Sequence, residues 1–145
     1  MSTYLSLNVH IVFSTKNRNP YLQGGLQTRA HEYMGGTVRG LGAIPLEIGG
    51  VEDHVHLLLR IKATHSISNL VQEIKKASTN RLQEDVRDFA WQGGYAALSV
   101  GYSEIAEVTK YIQNQVEHHR KMTFAEERLE ILKLAGIEYD PRFLD

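Results

Sequence analysis

The sequence predicts an α+β fold, in which an antiparallel sheet is covered by helices. The chain has 145 residues, 42% of them hydrophobic and 23% charged, which is enough for one domain with a sizeable core. Apolar runs typical of strands alternate with segments of helical periodicity in the order β-α-β-β-α-β, and further helices follow. We therefore expect a single domain over residues 1–145, with a sheet of the ferredoxin-like kind.

The predicted strands and helices follow one another with clear breaks. Runs rich in Val, Ile, Leu and Phe mark the strands, and apolar residues three and four positions apart mark the helices. We predict strands over residues 4–14, 44–51, 54–61 and 95–100, and helices over residues 22–39, 66–83, 103–119 and 124–134.

Turn and capping residues support these boundaries. Gly40 and Gly42 follow the first helix, where glycine commonly ends a helix. Only a short break separates the second and third strands, which predicts a hairpin. Thr123 and Glu126 form a capping box that begins the last helix. The sheet and its packing helices are thus assigned to residues 1–101, a helix to 103–120, and the last helix and tail to 123–145.

Composition excludes several kinds of site. Without cysteine, the chain has no disulfide, no thiolate metal ligand and no cysteine nucleophile. The net charge of −1 argues against a general nucleic-acid binder, so DNA binding would need local basic patches. Neither a signal peptide nor an apolar run of about 20 residues is visible, so we expect a cytoplasmic protein without a membrane segment.

A His-Val-His sequence opens the third predicted strand. Because side chains alternate along a strand, His54 and His56 share one face and Val55 faces the other. Two adjacent imidazoles can share a metal ion such as Mn, Fe, Co, Ni, Cu or Zn. Paired histidines of a surface or of a hydrogen-bond network are the alternative, and Gly49 and Gly50 favour a close approach of ligand or chain. We interpret the other early histidines as structural or surface residues: His10, His31 and His65.

A second group of polar residues lies on the helix predicted at residues 103–119. Tyr111, Gln115 and His118 are spaced by four and three residues and therefore share a face. That face is displaced by roughly 100° from the apolar stripe, whose residues are Ile105, Val108, Ile112 and Val116. Gln115 can offer a metal its carbonyl oxygen, and Tyr111 can act as a nucleophile if it is activated. A half-buried tyrosine that is hydrogen-bonded to a glutamine is the alternative.

Taken together, several motifs resemble a known family along nearly the whole chain. The motifs are residues 10–18 (HIVFSTKNR), 48–58 (IGGVEDHVHLL), 89–95 (FAWQGGY), 111–119 (YIQNQVEHH) and 136–140 (GIEYD). In this order they resemble the single-tyrosine transposases of small bacterial insertion sequences, which belong to the HUH endonuclease superfamily.

The resemblance implies specific roles for several residues. His54 and His56 would bind a divalent metal, Mg²⁺ or Mn²⁺, with Gln115 as the third ligand. Tyr111 would attack a DNA phosphate and form a 5′-phosphotyrosine link. The substrate would be single-stranded DNA hairpins at element ends, cut by a homodimer in which the tyrosine helix of one subunit can complete the site of the other. The expected DNA contacts are Lys16, Arg18, Lys76 and Arg81.

Three functional hypotheses remain open on sequence alone. The first is an active transposase, and the second is a domesticated nuclease that cuts repeated hairpins for its host. The third is a catalytically silent module that binds single-stranded DNA. The presence of His54, His56, Tyr111 and Gln115 argues against the third hypothesis, because a silent module needs none of them.

Overall fold

Residues 1–144 are described by a computed structural model, which contains an antiparallel sheet of four strands in the order β2-β3-β1-β4. The strands are β1 (Asn8–Ser14), β2 (Ile44–Val51), β3 (His54–Arg60) and β4 (Ala96–Val100). The helices are α1 (Gly25–Gly40), α2 (Ile67–Leu82), α3 (Ile105–Gln113), α4 (Gln115–His118) and α5 (Phe124–Leu134). This order and topology confirm the predicted α+β fold.

One face of the sheet forms the main hydrophobic core with α1 and α2. The alternate residues of β3 that face it are Val55, Leu57 and Leu59, all fully buried, as the strand pattern predicts. Ile11 of β1 and Ile74 of α2 pack in the same cluster and are also fully buried. Complete removal of these side chains from water makes this face the principal source of hydrophobic stabilisation.

The opposite face of the sheet carries the remaining residues of β3 and is covered by the C-terminal helices. Leu58 packs there against Ile112 of α3 in a second, smaller apolar cluster. Helix α3 approaches β2 so closely that a Cβ atom on Gly49 would lie 2.8 Å from Ile112 Cγ2 and 2.9 Å from its carbonyl oxygen. The glycine is therefore required by the close approach of another chain segment, as its position before the histidines suggests.

Two predicted boundaries were wrong at the N-terminal side. The first strand begins at Asn8, because the hydrogen-bonded ladders to β3 and β4 both end there and Tyr4 is largely exposed. Helix α1 begins at Gly25, because Leu22 is held against the β2–β3 turn by its amide, which donates to the Glu52 carbonyl.

The long helix predicted at residues 103–119 is interrupted. Asn114 has φ −95° and ψ 19°, so α3 ends before it and α4 begins after it. The change of phase leaves Val116 55% exposed, and its assignment to the apolar stripe was wrong. The capping box that begins α5 is confirmed, since Thr123 Oγ1 accepts from the Glu126 amide and Glu126 Oε1 accepts from the Thr123 amide. Among the helices of residues 1–144, none is long and apolar enough to cross a membrane.

Candidate metal and nucleophile site

The two histidines of β3 point into a common buried space. His54 and His56 are both fully buried, and their ring centroids lie 5.1 Å apart. Each ring is oriented by a contact to its Nδ1 atom: Asp53 Oδ1 lies 2.8 Å from that of His54, and His10 Nε2 lies 2.8 Å from that of His56. With Nδ1 engaged on both rings, the two Nε2 atoms are the ones presented to the shared space.

His10 therefore has a specific partner in the cluster, whereas the sequence predicted only a structural or surface role for it. Burial and the neighbouring His56 lower the pKa of His10 to about 3. A neutral His10 can accept a hydrogen bond at Nε2 from the Nδ1–H of His56, which leaves the Nε2 lone pair of His56 facing the site. The pairing arises because His10 of β1 and His56 of the adjacent strand β3 face the same side of the sheet.

Gln115 reaches the same space from the start of α4. Its side chain is 1% exposed, and its Oε1 lies 3.0 Å from His54 Nε2. Its amide nitrogen donates to Glu127 Oε2 at 3.0 Å, which fixes the carbonyl oxygen toward His54. The break at Asn114 thus still leaves Gln115 beside the histidines.

Tyr111 lies on α3 with its ring against His56, at a centroid distance of 5.6 Å. Its hydroxyl donates to Glu127 Oε2. Burial and the adjacent carboxylate raise the pKa of Tyr111 well above its usual range, so the phenol is protonated in this arrangement. Tyr111, the predicted nucleophile, therefore lies beside the candidate ligand His56 within this chain.

Glu127 of α5 is the centre of the polar cluster, although no role was predicted for it from the sequence. It is 1% exposed. Although burial would raise the pKa of Glu127, the His54 and His56 imidazoles, whose Nε2 atoms lie 3.2 and 3.4 Å from Oε1, hold it far below its usual range. Burial alone would lower the pKa of His54, yet Asp53 and Glu127 raise it to about 9. Without a cation, His54 and Glu127 therefore form a buried ion pair.

The donor set fits a divalent metal ion. His56 Nε2 is buried and has no hydrogen-bond partner within the part of the chain that the structure describes. Ligand atoms of His54, His56 and Glu127 all lie within 4.8 Å of one another. Two imidazole nitrogens with oxygen donors suit Mn²⁺ and other transition ions better than Mg²⁺, which prefers oxygen ligands.

The match to a known family now has a structural context. The family model described as "Transposase IS200 like" matches residues 3–115. The chain belongs to the IS200-like transposases. The matched segment covers the sheet, the histidine pair and Tyr111, and it ends at Gln115, before α5 begins.

Individual relatives agree with this assignment. The chain is 28% identical over 119 residues to the ISDra2 transposase TnpA of Deinococcus radiodurans, an alignment that covers 75% of this chain and 84% of the relative. A crystal structure of a protein of the same organism has a TM-score of 0.66 and 24% identity, covering 79% of this chain and 95% of that one. A REP-associated tyrosine transposase bound to a REP hairpin has a TM-score of 0.63 and 16% identity, covering 82% and 74%. At these identities the two structures support the fold.

The basic residues expected to bind DNA are not all near the polar cluster of this IS200-like transposase. Lys16 and Arg18 are exposed in the short turn after β1, and Arg18 lines a cleft of about 370 Å³ together with Asp53 and His119. Lys76 and Arg81 are exposed on α2, on the far side of the sheet, where the Arg81 guanidinium lies 4.5 Å from the Tyr33 ring centroid. Of these four residues, Arg18 is the one that lines a cleft shared with residues of the cluster.

Glu127 is the principal site residue that sequence reasoning missed in this transposase. A signal for it existed: once the capping box fixes the start of α5, Glu127 falls one turn after Phe124 on the inward face of the helix. Phe124 is buried and stacks on the His54 ring at a centroid distance of 4.3 Å. A carboxylate beside a buried aromatic on an amphipathic helix needs a buried partner.

Proposed function

We propose that the chain cuts and rejoins single-stranded DNA at hairpin-marked element ends through a 5′-phosphotyrosine intermediate, with the help of a divalent metal. One observation carries this proposal: the Tyr111 hydroxyl faces the buried cluster that contains the His54 and His56 Nε2 atoms and the Gln115 carbonyl oxygen. A nucleophile and a set of metal ligands therefore share one space.

In the proposed cleavage, the Tyr111 oxygen attacks the scissile phosphorus and loses its proton. The phosphorus–oxygen bond to the 3′-oxygen breaks, and this oxygen leaves as a 3′-hydroxyl after it takes up a proton. A later attack by a 3′-hydroxyl on the phosphotyrosine reverses these events and joins new ends. A bound divalent ion, held by His54, His56 and Gln115, would polarise the phosphate and stabilise the departing charge.

The chain's own residues prepare this step. The hydrogen bond to Glu127 fixes the direction of the Tyr111 hydroxyl, and Gln115 is held by the same carboxylate. Asp53 and His10 orient the two imidazoles, as outer partners of metal-binding histidines commonly do. A silent DNA-binding module has no use for these four supporting contacts, and we therefore favour an enzyme.

The proposal also includes hairpin DNA as the substrate and a homodimer as the active form. A structural relative is a REP-associated tyrosine transposase bound to a REP hairpin, which supports a hairpin as the ligand of this fold. We propose four DNA contacts: Arg18 beside the site, Lys16 in the same turn, and Lys76 and Arg81 on α2. We also propose a homodimer, in which the segment 103–120 of one subunit can complete the site of the other.

Covalent capture of DNA tests the nucleophile. The protein is incubated with single-stranded hairpin DNA and Mn²⁺, and a denaturing gel reports the protein–DNA adduct. We expect an adduct with the unaltered protein and none with Tyr111→Phe, because phenylalanine has no oxygen to attack phosphorus. Tyr102→Phe is the matched control, since Tyr102 is 77% exposed at the start of the same segment. An adduct with Tyr111→Phe would refute Tyr111 as the nucleophile.

A further inference from the structure

Glu127 stands out because the site receives a carboxylate from a helix outside the matched family segment. That segment ends at residue 115, whereas α5 spans Phe124–Leu134. Helix α5 is anchored over the histidines by Phe124, which stacks on the His54 ring. The packing of α5, rather than the conformation of a flexible loop, therefore places the carboxylate in the site.

The two oxygens of the carboxylate have different neighbours. Oε1 lies 3.2 Å from His54 Nε2 and 3.4 Å from His56 Nε2. Oε2 accepts from the Tyr111 hydroxyl and from the Gln115 amide. Oε1 therefore faces the two imidazoles of β3, and Oε2 is held in place by the hydroxyl and amide donors.

The first set of distances matches that of ligands around a cation. Ligands about 2.1 Å from an octahedral ion and at right angles to each other lie about 3 Å apart. Glu127 Oε1 and Gln115 Oε1 lie 3.2 and 3.0 Å from His54 Nε2, close to that separation. His54 Nδ1 faces Asp53, so a neutral His54 carries its proton there and presents a lone pair at Nε2. This nitrogen and the two Oε1 atoms then direct lone pairs toward one point, unless a proton or a cation lies between them.

We propose that Glu127 is a fourth, anionic ligand of the divalent metal, bound through Oε1. This inference rests on the proposed metal site. Two histidines and a glutamine are neutral ligands, so a dication held by them alone would be a buried charge of +2. A carboxylate in the same buried space offsets part of that charge, which otherwise carries a large desolvation cost.

The same carboxylate connects the metal to the nucleophile. Oε2 accepts a hydrogen bond from the Tyr111 hydroxyl. An ion bound at Oε1 would therefore be connected to the attacking oxygen through a single carboxylate group. The competing role for Glu127 is an ion pair with the two histidines at the end of α4, because His119 Nε2 lies 3.0 Å from Oε1 and His118 Nε2 lies 3.3 Å from Oε2. The two roles differ in whether the loss of Glu127 changes metal affinity.

Mn²⁺ binding to the protein without DNA distinguishes the metal-ligand role of Glu127 from the ion-pair role. Isothermal titration calorimetry is carried out on the unaltered protein, on Glu127→Gln and on the control Glu130→Gln, which removes the same charge from an exposed position of α5. We expect Glu127→Gln to weaken Mn²⁺ affinity about tenfold or more, since even outer partners of metal ligands commonly contribute 10- to 100-fold. Glu130→Gln should change it by less than about twofold.

The outcomes separate this inference from the function on which it rests. If the unaltered protein binds no Mn²⁺, both the proposed metal site and the role of Glu127 are overturned. If it binds Mn²⁺ and Glu127→Gln binds equally well, only the ligand role of Glu127 is overturned, and the tyrosine-adduct experiment is unaffected.

A measurement on the unaltered protein makes the result independent of the folding of the variant. Infrared difference spectra taken with and without Mn²⁺ should show a shift of a carboxylate stretch, and an unshifted spectrum at saturating Mn²⁺ would contradict the proposal. Melting curves in EDTA show whether Glu127→Gln folds. If it does not, Glu127→Asp replaces it in the titration, with weaker Mn²⁺ binding expected because the shorter side chain moves Oε1 away from the histidines.

Discussion

The two faces of the sheet are built from neighbouring residues of β3 yet have opposite chemistry. Toward α1 and α2 the strand presents Val55, Leu57 and Leu59, which pack in an apolar cluster. Toward α3, α4 and α5 it presents His54 and His56, which meet a buried carboxylate and an amide. All five of these β3 side chains are fully buried.

The difference separates what holds the fold from what performs its chemistry. The apolar face gains free energy from removal of hydrocarbon from water. The polar face buries imidazoles and a carboxylate, which stabilises little unless every group is paired. An arrangement that is costly in the absence of a cation is expected where function requires it. Substitutions on the two faces should therefore have different consequences.

The largest expected effect concerns His56. We expect His56→Ala to reduce formation of the Mn²⁺-dependent covalent adduct by at least about a hundredfold, because a ligand contributes more than the outer partners whose loss costs 10- to 100-fold. Hairpin affinity, measured by fluorescence anisotropy, should change by less than about twofold. His65→Ala, on a histidine remote from the cluster, is the control. Simultaneous loss of hairpin binding and cleavage would instead indicate a structural role for His56.

Leu57 and Leu58 allow the two faces to be compared at adjacent, fully buried positions. Each substitution by alanine should lower the free energy of unfolding by about 2–5 kcal/mol, as expected for a truncated core leucine. Leu57→Ala should leave the Mn²⁺ affinity of the folded protein unchanged. Leu58→Ala should also weaken it, because Leu58 supports Ile112 and Tyr111 of α3. Denaturant unfolding and calorimetry measure the two quantities, and equal Mn²⁺ affinities of the two variants would show that the faces are not separable in this way.

Gly49 tests the contact that places α3 over the polar face. An added methyl group would lie 2.9 Å from the Ile112 carbonyl oxygen, and backbone cannot move aside cheaply. We expect Gly49→Ala to lower the free energy of unfolding by about 1–3 kcal/mol, the usual cost of overpacking, and to slow adduct formation by displacing Tyr111. Gly93→Ala is the control, because no heavy atom lies within 4 Å of its added Cβ. Equal stabilities for the two variants would mean that α3 can shift freely.

Sequence periodicity was enough to predict the parts of the site that depend on a single element. Strand alternation placed His54 and His56 on one face, and helical spacing placed Tyr111 beside Gln115. It was not enough for contacts between elements. His10 meets His56 only because β1 pairs with β3, and Glu127 reaches the site only because α5 folds back over the sheet. The phase change at Asn114 also has no clear marker, since asparagine occurs within helices as well as at their ends.

The smallest expected effect is on the pH dependence of stability, and it compares His31 of α1 with His54 of the polar cluster. Burial lowers the pKa of His31 to about 4, whereas the carboxylates beside His54 outweigh burial and raise its pKa to about 9. Between pH 6.5 and 4, the unfolded chain therefore binds more protons at His31 than the folded chain, and stability falls as the pH is lowered. At pH 6 this amounts to no more than about 1 kcal/mol. His54 affects stability with the opposite sign: its stabilising contribution is present below pH 6.5 and is lost as the pH rises through about 9.

Denaturant unfolding in EDTA measures this pH dependence. Between pH 6.5 and 4, the free energy of unfolding should fall less steeply for His31→Gln than for the unaltered protein. An unchanged slope would mean that His31 is as well solvated as in the unfolded chain, and the contrast between a desolvated histidine on α1 and a charge-paired histidine in the polar cluster would not hold.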